Sequence, residues 1–343
     1  MRRVRVAVVG LGYWGPNLVR VLGELPEADV AWICDTDPLR LGAVRRRYPA
    51  IRRTSELERV LTDRKVDAVA IATPVSTHYE LASAALEAGK HVFVEKPLAA
   101  STVEARELVA LAKERGLVLM PGHTFLYSPP VNLIGKLIHS GELGSIYFIT
   151  TSRVNLGIHQ TDASVTWDLG PHDFSILRYW LGESPLRVSA TSRACIFPET
   201  PDVAFVNLEF ASGTLAHVEL SWLAPSKLRR TAVVGSQKMV LYDDTSTEPV
   251  RVFDSGVTLP DPQTYGEYRL TYRTGDIISP RVGASEPLLL EMSDFASAIQ
   301  TGREPRSSAD LGVDVVRMVE AVDRSLARTG VAVDLDEATA PVA

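Results

Sequence analysis

The first third of the chain alternates short, uniformly apolar runs with longer amphipathic ones. RVAVVG (5–10), DVAWICD (29–35), VDAVAIATP (66–74), HVFVEKP (91–97) and LVLMPG (117–122) are each too short for a stable helix. Their unbroken apolar text is that of strands buried on both faces. Between them lie helix patterns. PNLVRVLGEL places Leu18, Val21, Leu22 and Leu25 on one face, with Pro16 in the first turn, where its missing N–H is no loss. SELERVL is opened by Thr54 or Ser55, and THYELASAALEAG closes at Gly89. STVEARELVALAKERG carries a capping box, Ser101 with Glu104, and a terminal Gly116. Strands separated by single helices imply parallel pairing through right-handed crossovers, hence a doubly wound sheet over residues 1–122.

Beyond residue 122 the pattern changes. PPVNLIGKLIHSGELG predicts a helix stopped by glycine, followed by the strand SIYFITTSRV. VAFVNLEFASGTLAHVELSWL alternates on both sides of ASG and predicts a hairpin, and KLRRTAVVGSQKMVLYDD adds a strand pair. Residues 254–287 show no clear period, a length of loop that in a compact domain is functional or disordered. PLLLEMSDFASAIQTG and GVDVVRMVEAVDRSLARTG predict helices, and EATAPVA a loose tail. The division expected is an N-terminal dinucleotide-binding domain, 1–122, and a substrate-binding and oligomerisation domain, 123–343.

Composition narrows the function classes. A net charge of -6 gives no electrostatic ground for nucleic acid as a partner. No apolar run approaches the ~20 residues that span a bilayer, and the N-terminus lacks a signal-peptide core, so a cytoplasmic protein is expected. The two cysteines, Cys34 and Cys195, sit in apolar strand-like text and read as buried thiols, neither disulfide nor metal pair.

The chemistry begins at GLGYWG, where Gly10, Gly12 and Gly15 stand between the first strand and the first helix. Gly10 permits the tight turn, Gly12 lets backbone approach a pyrophosphate, and Gly15 lets helix and strand pack closely. Asp35 ends the second strand, where a carboxylate accepts the ribose hydroxyls of NAD and repels the extra phosphate of NADP. Arg40 or Arg45, reaching back, would instead admit NADP. Ligands of open α/β sheets bind beyond the carboxyl ends of the strands, so Thr73, Pro74 and His78 are expected to line the groove, with His78 alternatively a helix-start residue. Lys96 stands at the same rim, where a cation can hydrogen-bond a substrate hydroxyl and stabilise alkoxide charge; the alternative is a lysine paired only with Glu95. A cis Lys96–Pro97 bond is open to the sequence. In VTWDLGPHDFSILRYWLG, Asp168 and His172 are one helical turn apart and suit alcohol oxidation, the imidazole taking the proton and the carboxylate orienting it. The alternative is a pair of caps. Pro171 requires this helix to start near Asp168. No third ligand of fitting spacing accompanies the pair, so no metal is expected.

Taken together, VVGLGYWGPN, CDTDP, TPVSTHYELA, HVFVEKPLA and DLGPHD resemble the glucose–fructose oxidoreductase / inositol dehydrogenase / MocA family over nearly the whole chain. The resemblance implies an α/β protein: a Rossmann doubly wound parallel sheet, then a C-terminal α/β domain with an open, mainly antiparallel sheet. It implies oxidation or reduction of sugars, cyclitols or nucleotide-linked sugars with NAD or NADP. By position, Lys96, Asp168 and His172 are its catalytic set. Gly10, Gly12, Tyr13, Trp14, Gly15, Asp35, Thr73, Pro74, His78, Glu95 and Lys96 match its cofactor-contacting positions. One departure is that Ser175 stands where the family commonly has a second aspartate, and Asp173 lies too early for that place. The expectation is an NAD-dependent oxidoreductase acting on a ring secondary hydroxyl of a nucleotide-linked sugar, with Arg153, Asn155, Arg273 and Arg281 as substrate contacts. Free-sugar or inositol oxidation is the alternative within the enzyme class, and a non-catalytic NAD-binding regulator the alternative outside it. A homodimer or homotetramer is expected, because an open sheet must cover its second face.

Overall fold

A computed structural model describes residues 2–157, 163–258 and 271–336. The chain runs β1 (Val4–Val9), α1 (Gly15–Glu24), β2 (Ala28–Cys34), α2 (Pro38–Arg47), β3 (Arg52–Thr54), α3 (Leu57–Leu61), β4 (Ala68–Ile71), α4 (His78–Glu87), β5 (His91–Glu95), α5 (Thr102–Arg115) and β6 (Leu119–Gly122). It continues through α6 (Pro129–His139), β7 (Ile146–Leu156), α7 (Val165–Leu181), β8 (Pro185–Arg193), β9 (Val203–Phe210), β10 (Leu215–Ser221) and β11 (Leu223–Gly235). The last elements are β12 (Met239–Asp243), β13 (Val250–Thr258), β14 (Thr271–Ile278), α8 (Pro287–Thr301), α9 (Ala309–Ala327) and β15 (Val333–Asp334). The expected tail, 337–343, lies outside the described residues.

Two compact units form, one of residues 1–128 with 285–317 and the other of 129–284 with 318–343. This differs from a division at 122/123, because Ser285–Arg317 folds with the first sheet. The physical reason is apolar: Phe295 and Met292 of α8 are fully buried, and Phe295 meets Phe93 of β5 at 5.9 Å between ring centroids. An ion pair from Arg20 of α1 to Glu286, 2.5 Å, fixes the start of α8.

The first unit carries a six-stranded parallel sheet in the order β3-β2-β1-β4-β5-β6, the doubly wound arrangement expected. Chain direction reverses its winding between β1 and β4, which opens a crevice at their carboxyl ends. Helix α1 buries Leu18, Val21 and Leu22 against the sheet. Helix α5 begins with the Ser101 hydroxyl accepting from the Glu104 N–H at 3.2 Å and ends at Gly116, whose φ of 64 favours glycine. Helix α3 differs from expectation, because Glu56 is its N-cap residue and Thr54 instead accepts from the Glu56 N–H.

The second unit carries a nine-stranded sheet, β14-β13-β12-β11-β7-β10-β9-β8-β15. Its pairings are antiparallel except β7 with β10, which gives the mainly antiparallel sheet expected. The β9–β10 hairpin turns at Gly213, and β14 is a strand that aperiodic text had hidden. One face of the central strands buries Ile149, Val206, Leu208, Ala216 and Val218. The other leaves Phe148, Phe205 and Leu215 exposed, Leu215 at 55%. Cys34 is buried as expected, but Cys195 is exposed. It lies past the end of β8, where the Asp202 carboxylate holds the N–H groups of Cys195 and Ile196 in a loop. Among the described residues no helix is long and apolar enough to cross a membrane.

Candidate active site

The glycine turn is set by contacts that leave no room for a side chain. Gly10 has φ +88, and a Cβ there would meet the Ala72 carbonyl oxygen at 2.5 Å. At Gly15 a Cβ would sit 2.0 Å from the Gly10 oxygen. At Gly12 the nearest atom to a Cβ would be Arg40 Nη1 at 3.9 Å, so the backbone there presents an open surface. Trp14 occupies the N-cap of α1 and has no side-chain oxygen to offer the helix's first N–H groups. Tyr13 is 84% exposed beside it. These features fit a pyrophosphate over Gly12 at a helix start.

Asp35 stands at the end of β2, buried, and does two jobs in the loop. Its Oδ2 accepts the Leu11 N–H at 2.6 Å and its Oδ1 accepts the Asp37 N–H at 2.8 Å. Arg40 does reach back, to 3.8 Å from Asp35, and also lies 3.5 Å from Asp37, so its charge is matched within the loop.

At the ends of β4 and β5 the structure ties two rim loops together. His78 is 1% exposed. Its Nδ1 faces the Pro97 carbonyl at 2.8 Å and its Nε2 the Thr73 carbonyl at 2.9 Å. Burial pushes its pKa down, and a neutral ring has one N–H, so it donates to one of these two carbonyls. Buried between them, His78 packs the turn that carries Thr73 and Pro74 against the turn that carries Lys96. Thr73 receives the Thr77 hydroxyl at 2.8 Å. Lys96 is half-buried and the Lys96–Pro97 peptide is cis. Glu95 turns inward and is buried, as is His123 one residue beyond β6.

In the second unit, Asp168 and His172 occupy successive turns of α7 and are both half-buried, while Pro171 and Asp173 between and beside them are buried. The helix starts at Val165, earlier than Pro171 was expected to allow. Pro171 therefore sits inside it, where the missing N–H leaves the Trp167 carbonyl without its helical donor. Asp168 Oδ2 accepts the Trp222 indole N–H at 3.1 Å. Asn155 lies alongside, since a Cβ at Gly157 would meet both the Trp222 ring, at 3.0 Å, and the Asn155 amide, at 3.3 Å. Trp222 is a partner of Asp168 that strand text conceals, because its position one past β10 marks it only as a hairpin-end aromatic.

The remaining substrate candidates fare differently. Arg153 is buried and pairs with Asp173 at 2.5 Å, with the Thr151 hydroxyl donating to the same carboxylate at 2.9 Å. Its direction is set by that pair, and Asp173 is the acid of α7 that the family pattern left unexplained. Arg273 pairs with Asp254 across β13 and β14 at 3.1 Å and donates to the Gln237 carbonyl. Arg281 is exposed.

Residues 4–123 match the family model described as an oxidoreductase family with NAD-binding Rossmann fold, and residues 131–241 match the GFO/IDH/MocA C-terminal domain. The chain belongs to the Gfo/Idh/MocA oxidoreductase family. It is an NAD-dependent oxidoreductase whose first unit is the NAD-binding Rossmann domain. Among its Gfo/Idh/MocA relatives, D-apiose dehydrogenase of Paraburkholderia graminis is 26% identical over 365 residues, covering 99% of this chain and 92% of that one. The NAD-linked scyllo-inositol 2-dehydrogenase of Bacillus subtilis is 28% identical over 356 residues, covering 97% of each. GenD2 from gentamicin A biosynthesis, solved in complex with NAD, matches with a TM-score of 0.83 at 27% identity, over 98% of this chain and 97% of its own.

Proposed function

We propose that this family member transfers a hydride between NAD and a secondary hydroxyl on the ring of a sugar or cyclic polyol. The observation that carries the reading is the retention of Lys96, Asp168 and His172, each half-buried at the end of a strand or on a helix turn rather than sunk into the core. NAD, when bound, supplies the hydride acceptor. Lys96 donates a hydrogen bond to the substrate oxygen and stabilises its developing negative charge. His172 accepts the hydroxyl proton. Asp168, itself held by the Trp222 N–H, favours the protonated imidazole. The relatives named for apiose and inositol support a ring alcohol as substrate class.

A nucleotide-linked sugar is the finer reading, and two exposed side chains favour it. Tyr272, on the β14 edge strand, can stack on a base, and Arg281 can meet a diphosphate. Arg153 gives it no support, being spent on Asp173. The test is NADH fluorescence with UDP- and dTDP-sugars, free pentoses and hexoses, and inositols. Turnover is expected with one of these classes, and the class identifies the substrate. Tight NAD binding without turnover on any of them would favour the regulator.

The proposal extends to a homo-oligomer, supported by the face of the nine-stranded sheet that exposes Phe148, Phe205 and Leu215. Copies packing this face together would remove these apolar side chains from water. Light scattering at micromolar concentration is expected to give a dimer or tetramer mass, and Leu215→Glu to lower it. A monomer mass for the unaltered chain would remove the proposal.

A further inference from the structure

The part of α7 that carries Asp168 and His172 is intrinsically a poor helix. Gly170 and Pro171 stand between the two side chains, and each weakens the turn, glycine through backbone entropy and proline through its missing N–H. The geometry of that turn therefore depends on side-chain bonds. The Trp222 indole N–H meets Asp168 at 3.1 Å, and the buried Ser175 hydroxyl donates to the His172 carbonyl at 2.9 Å. The densest set converges on Asp173. Its Oδ2 accepts Arg153 Nε at 2.5 Å, and its Oδ1 accepts Arg153 Nη2 at 3.3 Å and the Thr151 hydroxyl at 2.9 Å. Thr231 of β11 donates in turn to Thr151 at 3.2 Å. All four of these side chains are buried. Residues 151 and 153 alternate with 152 along β7, so both reach the carboxylate from one face of the strand.

A buried ion pair is a poor source of stability, since two apolar groups of similar bulk hold a helix to a sheet as well or better. What the pair adds is direction. Apolar contacts are non-directional and let a helix turn about its axis. A guanidinium fork on a carboxylate, with a hydroxyl on one of the same oxygens, fixes the orientation of the group that it holds. With 3.6 residues per turn, Asp173 lies about 100° around the helix from His172 and about 140° from Asp168. Holding Asp173 at the back therefore fixes where the other two point. We propose that Arg153 and Asp173, backed by Thr151 and Thr231, are positioning residues that set the rotation of α7 and thereby aim Asp168 and His172. The inference rests on the roles proposed above for those two side chains. The pair acts through the helix and not on the reacting atoms.

The test uses the full chain, with the sugar or inositol that gives the highest turnover in the NADH assay above. Arg153→Met with Asp173→Leu is expected to melt well above Asp173→Ala and to bind NAD within a few-fold of the unaltered enzyme. Its kcat is nevertheless expected to fall about 10–10²-fold, the scale of a misplacement of about 1 Å. The solvent isotope effect on kcat in D2O should rise with it, because proton transfer to a misaimed imidazole slows relative to the other steps. A pair that served the fold alone would leave both readouts unchanged once stability had been recovered. Arg153→Lys is the second variant, to be used where the double replacement does not fold. It keeps the charge but not the planar fork, and its kcat is expected to fall several-fold at unchanged NAD affinity. Undiminished kcat in the folded variant would overturn the positioning role, and a rise in KM alone would give Arg153 to the substrate instead. His172→Ala separates this inference from the reading beneath it. A crippled His172→Ala beside an undiminished pair variant would remove the positioning role alone, whereas full turnover in His172→Ala would overturn the proposed chemistry of α7 itself.

Discussion

Lys96→Ala is expected to lower turnover by about 10²–10³-fold or more, the usual loss when one donor to a developing oxyanion is removed, while NAD affinity stays within a few-fold. The two parts of this result come from different places in the first unit. The places proposed for NAD are the turn through Gly10, Gly12 and Gly15 and the loop that Asp35 braces, and the contacts that shape both are made without the lysine side chain. His78 stays packed between the Pro97 and Thr73 carbonyls whether or not residue 96 has a long side chain. A fold change is therefore not expected, and a melting curve close to that of the unaltered chain would confirm this. Steady-state turnover and NADH fluorescence titration give the two numbers needed. Undiminished turnover in this variant would end the assignment of Lys96 to the reacting oxygen.

The second large effect concerns stability. Arg153 and Asp173 face each other at 2.5 Å with side chains only 7% and 4% exposed. Removing one partner of a buried pair strands the other charge in a medium that solvates it badly, at a cost of about 3–5 kcal/mol. For a unit of this size about 1 kcal/mol moves the midpoint by roughly 2–4 °C, so Asp173→Ala should melt on the order of 10 °C below the unaltered protein. Replacing both, Arg153→Met with Asp173→Leu, should recover much of the loss, because two apolar groups of similar bulk need no counter-charge. The same pair tests whether Arg153 contacts substrate. If Arg153→Ala left the melting temperature within a degree or two and raised KM alone, the residue would belong to the substrate after all.

These two cases also show where sequence text was readable and where it was not. The parallel sheet was legible because its signals are local: an apolar run, a glycine, a helix stripe, repeated. Gly10, Gly12, Gly15 and Asp35 were legible for the same reason, since one turn and one strand end bring them together. Asp173 was not, because its partner comes from a strand 20 residues away, and spacing along α7 says nothing about what lies behind that helix. Glu291 was hidden more deeply: it touches Thr124 across 167 residues of sequence, and in PLLLEMSDFASAIQTG it looks like one solvated acid on a surface helix. Arg153 reads in sequence as a substrate contact because SRVNLG offers surface beyond a monosaccharide, and its burial against Asp173 is something spacing along the strand does not convey. Cys195 lies in apolar text that reads as a strand, whereas an aspartate seven residues on turns that stretch into a loop.

The first unit is stitched from two distant pieces of chain, 1–128 and 285–317. During synthesis, the nucleotide half therefore waits, with the surface that Phe295 and Met292 will cover still bare, until residues 285–317 have left the ribosome. A gene fragment that stops after β6 would inherit that bare surface permanently. Transplanting this half into another enzyme would require both pieces to travel together.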